Sequence, residues 1–260
     1  MKRRCPKMHK LQIEGLTKTF GGLTAVNNVA MHVDDNEIVG LIGPNGAGKT
    51  TLFNMITGLY TPTSGQLLYQ EKDITGLKPD KITDIGIART FQNIRLFPMM
   101  TALENVMIGL HTRTHSTMFD SILRTKRHRT EEKNNIQRAM EILEMVGLES
   151  KQDEYSKNLP YGEQRKLEIA RAMASNPGIL LLDEPAAGMN ENETAELTGF
   201  IKGLKGLGMT VLVIEHDMRL VMSICERIYV LDYGSKIAEG VPKEIQSNPQ
   251  VIEAYLGKGA

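Results

Sequence analysis

The sequence predicts an α/β fold, a mainly parallel sheet core interrupted by an inserted helical segment. Three observations carry this. Short apolar runs alternate with stretches of helical periodicity, the pattern of parallel strands joined by crossover helices. One run, Glu37-Ile38-Val39-Gly40-Leu41-Ile42, leads directly into Gly43-Pro44-Asn45-Gly46-Ala47-Gly48-Lys49-Thr50-Thr51, which fits the phosphate-loop pattern G-x-x-x-x-G-K-[ST]. Between about residues 95 and 159 the β-branched runs vanish and helical spacing takes over.

In chain order, residues 9–16 and 28–33 alternate apolar and polar side chains, as half-buried strands do. Residues 37–42 form the strand that ends in the phosphate loop, and apolar residues at helical spacing follow over 51–57. Thr61-Pro62-Thr63-Ser64-Gly65 is a turn into a short strand, 66–69, and residues 87–91 read as another strand, followed by Gln92. Within the insert, 102–110 and 131–146 are helical, the second with Ile136, Met140, Leu143 and Val146 on one face. The core resumes with helix 163–174, strand 179–182, helix 193–207, strand 211–214, helix 218–225 and strand 227–231. No internal repeat or low-complexity segment interrupts this order.

Composition narrows the function classes. Lys plus Arg (31) balances Asp plus Glu (31) in 260 residues, so no global charge recommends nucleic acid as a partner. Two cysteines, Cys5 and Cys225, are too few for a disulfide framework and read as free thiols. Residues 1–8 carry the charge of a signal n-region with no apolar stretch behind it, and read as a tail. No window approaches the roughly 18 consecutive apolar residues of a membrane span. The stretch 111–130 holds five Lys/Arg, one Asp and three of the six His; it reads as a solvated loop or as a basic contact to lipid headgroups or a membrane partner.

The chemistry follows from what sits at strand ends. Glycines at 43, 46 and 48 let successive N–H groups point at one anion at the positive end of a helix. Lys49 would reach the terminal phosphates and the Thr50 hydroxyl would join the Mg²⁺ shell. Asp183-Glu184 closes the apolar strand 179–182: one carboxylate can hold Mg²⁺, the adjacent one can polarise an attacking water. His216, after strand 211–214, could hydrogen-bond a γ-phosphate and that water. Gln92 could touch Mg²⁺ or the water as it opens the insert. Leu159-Pro160-Tyr161-Gly162-Glu163-Gln164-Arg165 leads into a helix whose N-terminus offers unpaired N–H groups to an anion. With one phosphate loop already present, that second phosphate-recognition helix suggests a site completed by another chain.

Taken in order, the phosphate loop, Gln92, Leu159 to Arg165, Asp183-Glu184 and His216 resemble the nucleotide-binding subunit of an ATP-binding cassette (ABC) transporter, over about residues 9–256. The resemblance implies a P-loop ATPase with antiparallel N-terminal strands: an ATPase domain over 9–260, with 9–94 and 160–260 as its core and 95–159 as a helical subdomain. It implies a head-to-tail dimer holding two Mg-ATP between phosphate loop and opposing signature segment, so that Tyr161, Gly162 and Glu163 meet the partner's nucleotide. It further implies Phe20 on adenine, Glu184 as catalytic base, Asp183, Thr50 and Gln92 at Mg²⁺, and His216 as the switch residue.

The segments Leu159 to Arg165, Asp183 to Asn190, Ile214 to Met218 and Pro249 to Gly257 narrow the resemblance to branched-chain amino-acid importers, specifically the first of their two ATP-binding subunits. That resemblance implies a homologous second ATP-binding subunit, two transmembrane permease subunits, an extracytoplasmic substrate-binding protein, and a peripheral place on the cytoplasmic face of the inner membrane. A lipopolysaccharide exporter and a urea or amide importer stay open as alternatives. A DNA-maintenance ATPase would carry a long coiled coil, and a ribosome-acting factor two cassettes; the sequence has neither. Against the usual Leu-Ser-Gly-Gly-Gln signature, Pro160 stands in the serine place and Tyr161 in that of the first glycine; the proline has neither a hydroxyl nor a backbone N–H, so two donors to the partner's nucleotide are missing. Asn190 stands where Asp is common.

Overall fold

The computed structural model describes residues 9–110 and 126–256. The tail 1–8 lies outside the described residues, and so does most of the basic stretch 111–130. In chain order the chain forms β1 (Leu11–Phe20), β2 (Leu23–Val33), β3 (Ile38–Ile42), α1 (Lys49–Ile56), β4 (Ser64–Tyr69), β5 (Lys72–Asp73), α2 (Pro79–Asp84) and β6 (Ile87–Arg89). Next come α3 (Ala102–Leu110), α4 (Lys126–Met145), α5 (Tyr161–Ala174), β7 (Ile179–Asp183), α6 (Glu191–Gly206) and β8 (Thr210–Ile214). The last elements are α7 (Met218–Ile224), β9 (Arg227–Asp232), β10 (Ser235–Gly240), α8 (Pro242–Gln246) and α9 (Pro249–Leu256).

Six strands make the core sheet in the order β10-β9-β3-β8-β7-β6, parallel throughout except at the β10 edge. The central strands β3, β7 and β8 are buried at every position and apolar over most of their length because both faces are covered. Val39, Leu41, Leu181, Leu212, Ile214 and Tyr229 point into one core. Ile38, Ile42, Leu180, Leu182, Val211, Val213 and Ile228 alternate with them and point into the other. The second core is roofed by helices: α6, α7, α8 and α9 contribute Leu197, Ile201, Leu220, Val221, Ile245 and Val251. The first is roofed by α1 together with an antiparallel sheet, β2-β1-β4-β5, whose inner residues include Leu11, Val29 and Leu67.

A third cluster joins α3, α4 and α5 through Ala102, Val106, Ala139, Leu143, Leu167 and Ala170. Helix α5 is the seam, since its Ile169 and Met173 belong to the core-sheet cluster. Two sequence expectations change here. The buried stripe is Ala139, Ile142 and Leu143 of α4 with Val146 just past its end and Met140 packed beside them, whereas Ile136 is 40% exposed. The strand expected over 87–91 ends at Arg89: Thr90 still donates to the Leu181 carbonyl (3.0 Å), but the chain then leaves the sheet. Among the described residues no helix is long and apolar enough to cross a membrane.

Candidate nucleotide site

The phosphate loop rises from the C-terminal end of β3 and turns into α1 at Gly48. Here the backbone, not side chains, fixes the path. A Cβ at Gly43 would stand 2.1 Å from the Leu231 carbonyl oxygen, and one at Gly48 2.4 Å from that of Ala25. Both residues also have positive φ, 148° and 98°. Asn45 and Gly46 at the tip are exposed, Ala47 is buried beneath, and the Ala47 N–H donates to the Pro44 carbonyl (3.2 Å). Lys49 folds back over the loop, its ammonium donating to the carbonyls of Gly43 (2.6 Å) and Pro44 (3.0 Å). Burial holds the Lys49 pKa below its usual value, while Glu184 and Asp183 pull it the other way. Thr50 and Thr51 occupy the first turn of α1, Thr50 exposed.

Parallel register brings the remaining groups to the same edge. Asp183 ends β7 level with Ile214 of β8, so Glu184 and His216 leave neighbouring strands together. Glu184 adopts a left-handed conformation (φ 47°), a cost of order 1 kcal/mol that turns its carboxylate out of the strand line. Its N–H donates to the Ile214 carbonyl (2.9 Å). The Gln92 amide donates to Glu184 Oε2 (2.8 Å), and His216 Nδ1 lies 3.8 Å from the same oxygen. The structure therefore gathers Lys49, Asp183, Glu184, Gln92 and His216 around one edge of the sheet.

The other expected site residues lie apart. Phe20 ends β1, 42% exposed, with its ring edge-on to Tyr60 (5.3 Å) and Lys18 Nζ 5.0 Å away. Tyr161, Gly162 and Glu163 form the first turn of α5, which starts two residues earlier than the apolar spacing suggests. Pro160 is the N-cap and supplies no side-chain cap. Glu163 is bound by Lys151 (2.5 Å). Asn190 caps α6, accepting from the N–H groups of Asn192 and Glu193 (both 3.0 Å).

Three residues to which the sequence motifs assign no role brace this edge. Arg89 in β6 is the ion-pair partner of Asp183 (2.6 Å) and also donates to Asn54 (2.7 Å). Glu215 is fully buried and accepts the N–H groups of Ala186 (2.8 Å), His216 (3.0 Å) and Asp217 (3.4 Å). It thereby ties the segment after Glu184 to the segment carrying His216. Desolvation nevertheless pushes the Glu215 pKa up against those three bonds. From α9, Tyr255 reaches the Gly43 backbone, and burial pushes its phenol pKa up. An acidic residue directly after an all-apolar strand was the one available signal for Glu215; Arg89 and Tyr255 had none.

A family model described as ABC transporter matches residues 26–187, and one described as branched-chain amino acid ATP-binding cassette transporter matches 235–260. Over 249 residues the chain is 48% identical to the high-affinity branched-chain amino acid transport ATP-binding protein LivG of Salmonella typhimurium, covering 95% of this chain and 98% of that one. It is similar to the solved ADP conformation of an ATP-binding cassette of an ABC transporter, with a TM-score of 0.84, 34% identity and coverage of 96% and 100%. It is also similar to a dimeric ATP-binding cassette in a post-hydrolysis state, with a TM-score of 0.74, 30% identity and coverage of 89% and 98%. A phosphate loop at the end of β3, two carboxylates at the end of β7 and this breadth of likeness lead to one conclusion: the chain belongs to the ABC transporter family, as a nucleotide-binding ATPase cassette.

Proposed function

We propose that this chain is the ATP-hydrolysing subunit of an importer for branched-chain amino acids, seated on the cytoplasmic face of the inner membrane. The observation that carries the hydrolytic reading is the reach of Gln92 and His216 to one oxygen of Glu184. The likeness to LivG over nearly the whole chain supports the cargo. In this reading residues 9–94 and 160–260 are the ATPase core and 95–159 the helical subdomain. The chain pairs head to tail with a second, homologous ATP-binding subunit and docks on two transmembrane permeases served by a substrate-binding protein.

Each residue then has a task. Lys49 exchanges the Gly43 and Pro44 carbonyls for phosphate oxygens, at the positive end of α1. The N–H groups from Gly43 through Thr51, Pro44 excepted, line the anion path, with Asn45, Gly46, Ala47 and Gly48 nearest its tip. Phe20 stacks on adenine. Glu184 polarises the attacking water, Gln92 and His216 hold that water and the carboxylate in line, and Tyr161, Gly162 and Glu163 close on the partner's nucleotide. The Thr50 hydroxyl, the Asp183 carboxylate and the Gln92 amide oxygen are hard donors that suit Mg²⁺. Asp183 is held through Oδ2 by Arg89, and the Gln92 nitrogen is spent on Glu184, so Oδ1 of the one and Oε1 of the other are left for a cation or its water shell. When bound, the ion neutralises phosphate charge in the transition state.

The test is reconstitution in proteoliposomes with ATP on the side of this chain. Uptake of radiolabelled leucine should require the chain. Glu184→Gln should leave ATP binding intact, lower hydrolysis by roughly 10²-fold or more and stop uptake. Hydrolysis close to normal in that variant removes Glu184 from the role of base, and ATP-dependent uptake of an unrelated solute in place of leucine rejects the cargo.

A further inference from the structure

Helix α5 carries a charged pair that is buried completely, Arg165 at 0% exposure and Glu168 at 1%. Their bonds run almost entirely to one irregular segment, Phe91 to Arg95. Arg165 Nη1 donates to the Phe91 carbonyl (2.7 Å) and to Glu168 Oε2 (2.9 Å); Nη2 donates to the Gln92 carbonyl (2.8 Å). The other oxygen of Glu168 accepts the Arg95 N–H (3.1 Å). One turn further along, Arg171 donates to the Arg95 carbonyl. The segment has left the sheet at Arg89, so these α5 side chains take the place of a ladder for it. The remaining reach of Nη2 goes backwards along its own helix, to the Tyr161 hydroxyl (3.2 Å).

A chain of contacts results. It runs from Glu184 through the Gln92 amide, along the Gln92 backbone to Arg165, and from Arg165 to Tyr161 in the first turn of α5. An ion pair buried this deeply adds little stability over a well-packed apolar pair. Its planar fork does something an apolar pair cannot: it sets two backbone segments at a fixed distance and angle. Among the described residues Arg165 Nε has no partner, so the fork is engaged through its two terminal nitrogens alone, as a clamp on carbonyls would be.

We propose that Arg165 and Glu168 are positioning residues that lock the Gln92 segment to the start of α5. Gln92 then meets Glu184 only while α5 and that segment move as one body. This rests on the reading of Glu184 as the base at this chain's nucleotide. Its consequence is that the water-polarising geometry at one nucleotide is registered with the helix end facing the other.

A double-mutant cycle on the full-length chain in its transporter complex tests it. Replacing the pair together, Arg165→Met with Glu168→Leu, avoids leaving a buried charge unpaired. We expect kcat to fall about tenfold with KM for ATP moved less than about threefold. In a Gln92→Ala background the same replacement should change kcat by less than about twofold, since the path is already cut. A tenfold fall in both backgrounds, or a rise in KM with kcat unchanged, overturns the proposal. Should the replaced pair not fold, Arg165→Lys, which keeps the charge and loses the fork, enters the same cycle with the same expectation. Amide hydrogen exchange gives a readout independent of catalysis: exchange of the Arg95 amide, held by Glu168, should quicken about tenfold in the double replacement, and unchanged exchange there refutes the clamp. Glu184→Gln separates the two readings. Near-normal hydrolysis there rejects Glu184 as base, while the exchange data still decide whether Arg165 holds the segment.

Discussion

The phosphate loop and the first turn of α5 both present a helix N-terminus, yet they are held by different means. At the loop, Gly43 and Gly48 lie against the carbonyls of Leu231 and Ala25, so the main chain is wedged between neighbouring strands. At α5, the cap is a proline without a side-chain bond, and the turn is steadied by side chains: Lys151 on Glu163 and Arg165 on the Tyr161 hydroxyl. A Cβ added at Gly162 would stand nearest the Glu193 side chain, 3.2 Å from its carboxylate oxygen, rather than against a backbone carbonyl. A backbone wedge tolerates no change and makes half a site complete in itself. A turn steadied by side chains tolerates substitution and suits a surface that must open and close on another chain.

That contrast gives the largest expected effect. Gly43→Ala drives a methyl into the Leu231 carbonyl, and the strand beneath cannot yield. Stability should fall by more than about 3 kcal/mol by urea unfolding, with ATP binding lost. Gly162→Ala asks the Glu193 side chain, which accepts the Asn190 N–H (3.0 Å), to give by a few tenths of an ångström, and should cost less than about 1 kcal/mol with ATP binding at this chain's own loop kept. Similar losses at the two positions would dissolve the distinction between wedge and side-chain support.

The contrast also explains what the residues revealed in advance. The loop was legible because its glycines, its lysine and the apolar strand before it are contiguous in sequence. Asp183, Glu184 and His216 were legible as polar residues ending apolar strands. The supports were not. Arg89 and Asp183 are 94 residues apart and Arg165 and Gln92 73 apart, and no periodicity encodes such pairs. Strand β10 and helices α8 and α9 escaped for another reason. An edge strand with half-buried polar residues and two short helices leave patterns too weak to separate from loop. The exposure of Ile136 in α4 is of the same kind: spacing shows which residues share a stripe, not how much of the stripe a neighbour covers.

A smaller effect is expected at α5. Pro160, with neither a hydroxyl nor a backbone N–H, deprives this turn of two donors toward the partner's nucleotide, each worth about 1.5–3 kcal/mol when charge-assisted. Pro160→Ser with Tyr161→Gly should therefore raise turnover by about tenfold or more at the partner's phosphate loop, with no such rise at this chain's own loop. Single-turnover hydrolysis, with one phosphate loop at a time disabled through its lysine, separates the two sites. An equal rise at both refutes the asymmetry. Tyr161→Gly also deletes the hydroxyl that Arg165 reaches, so a fall at this chain's own loop would show that the Arg165 path extends through Tyr161.

The smallest expected effect concerns Glu215, which joins the two strand ends carrying the reacting groups. Burial raises its folded pKa above the ordinary carboxylate value of 4.5. For a carboxyl raised on folding, the native state binds the proton more readily than the unfolded one between those two values. Stability from this group is then fully present below the unfolded pKa and declines as pH climbs through the raised folded value. Glu215→Gln abolishes that titration, so unfolding free energy plotted against pH should lose part of its downward slope just above pH 4.5. At neutral pH the variant should still be less stable by about 1–3 kcal/mol, because an amide nitrogen replaces one of the two oxygens that accept backbone N–H groups. The placement of that loss sharpens the contrast drawn above. Glu215 grips the segments after β7 and β8 but not the phosphate loop, so Glu215→Gln should slow hydrolysis through Glu184 and His216 while ATP affinity holds. Weakened ATP binding without slower hydrolysis would mean that the loop is not the self-sufficient wedge its backbone contacts describe.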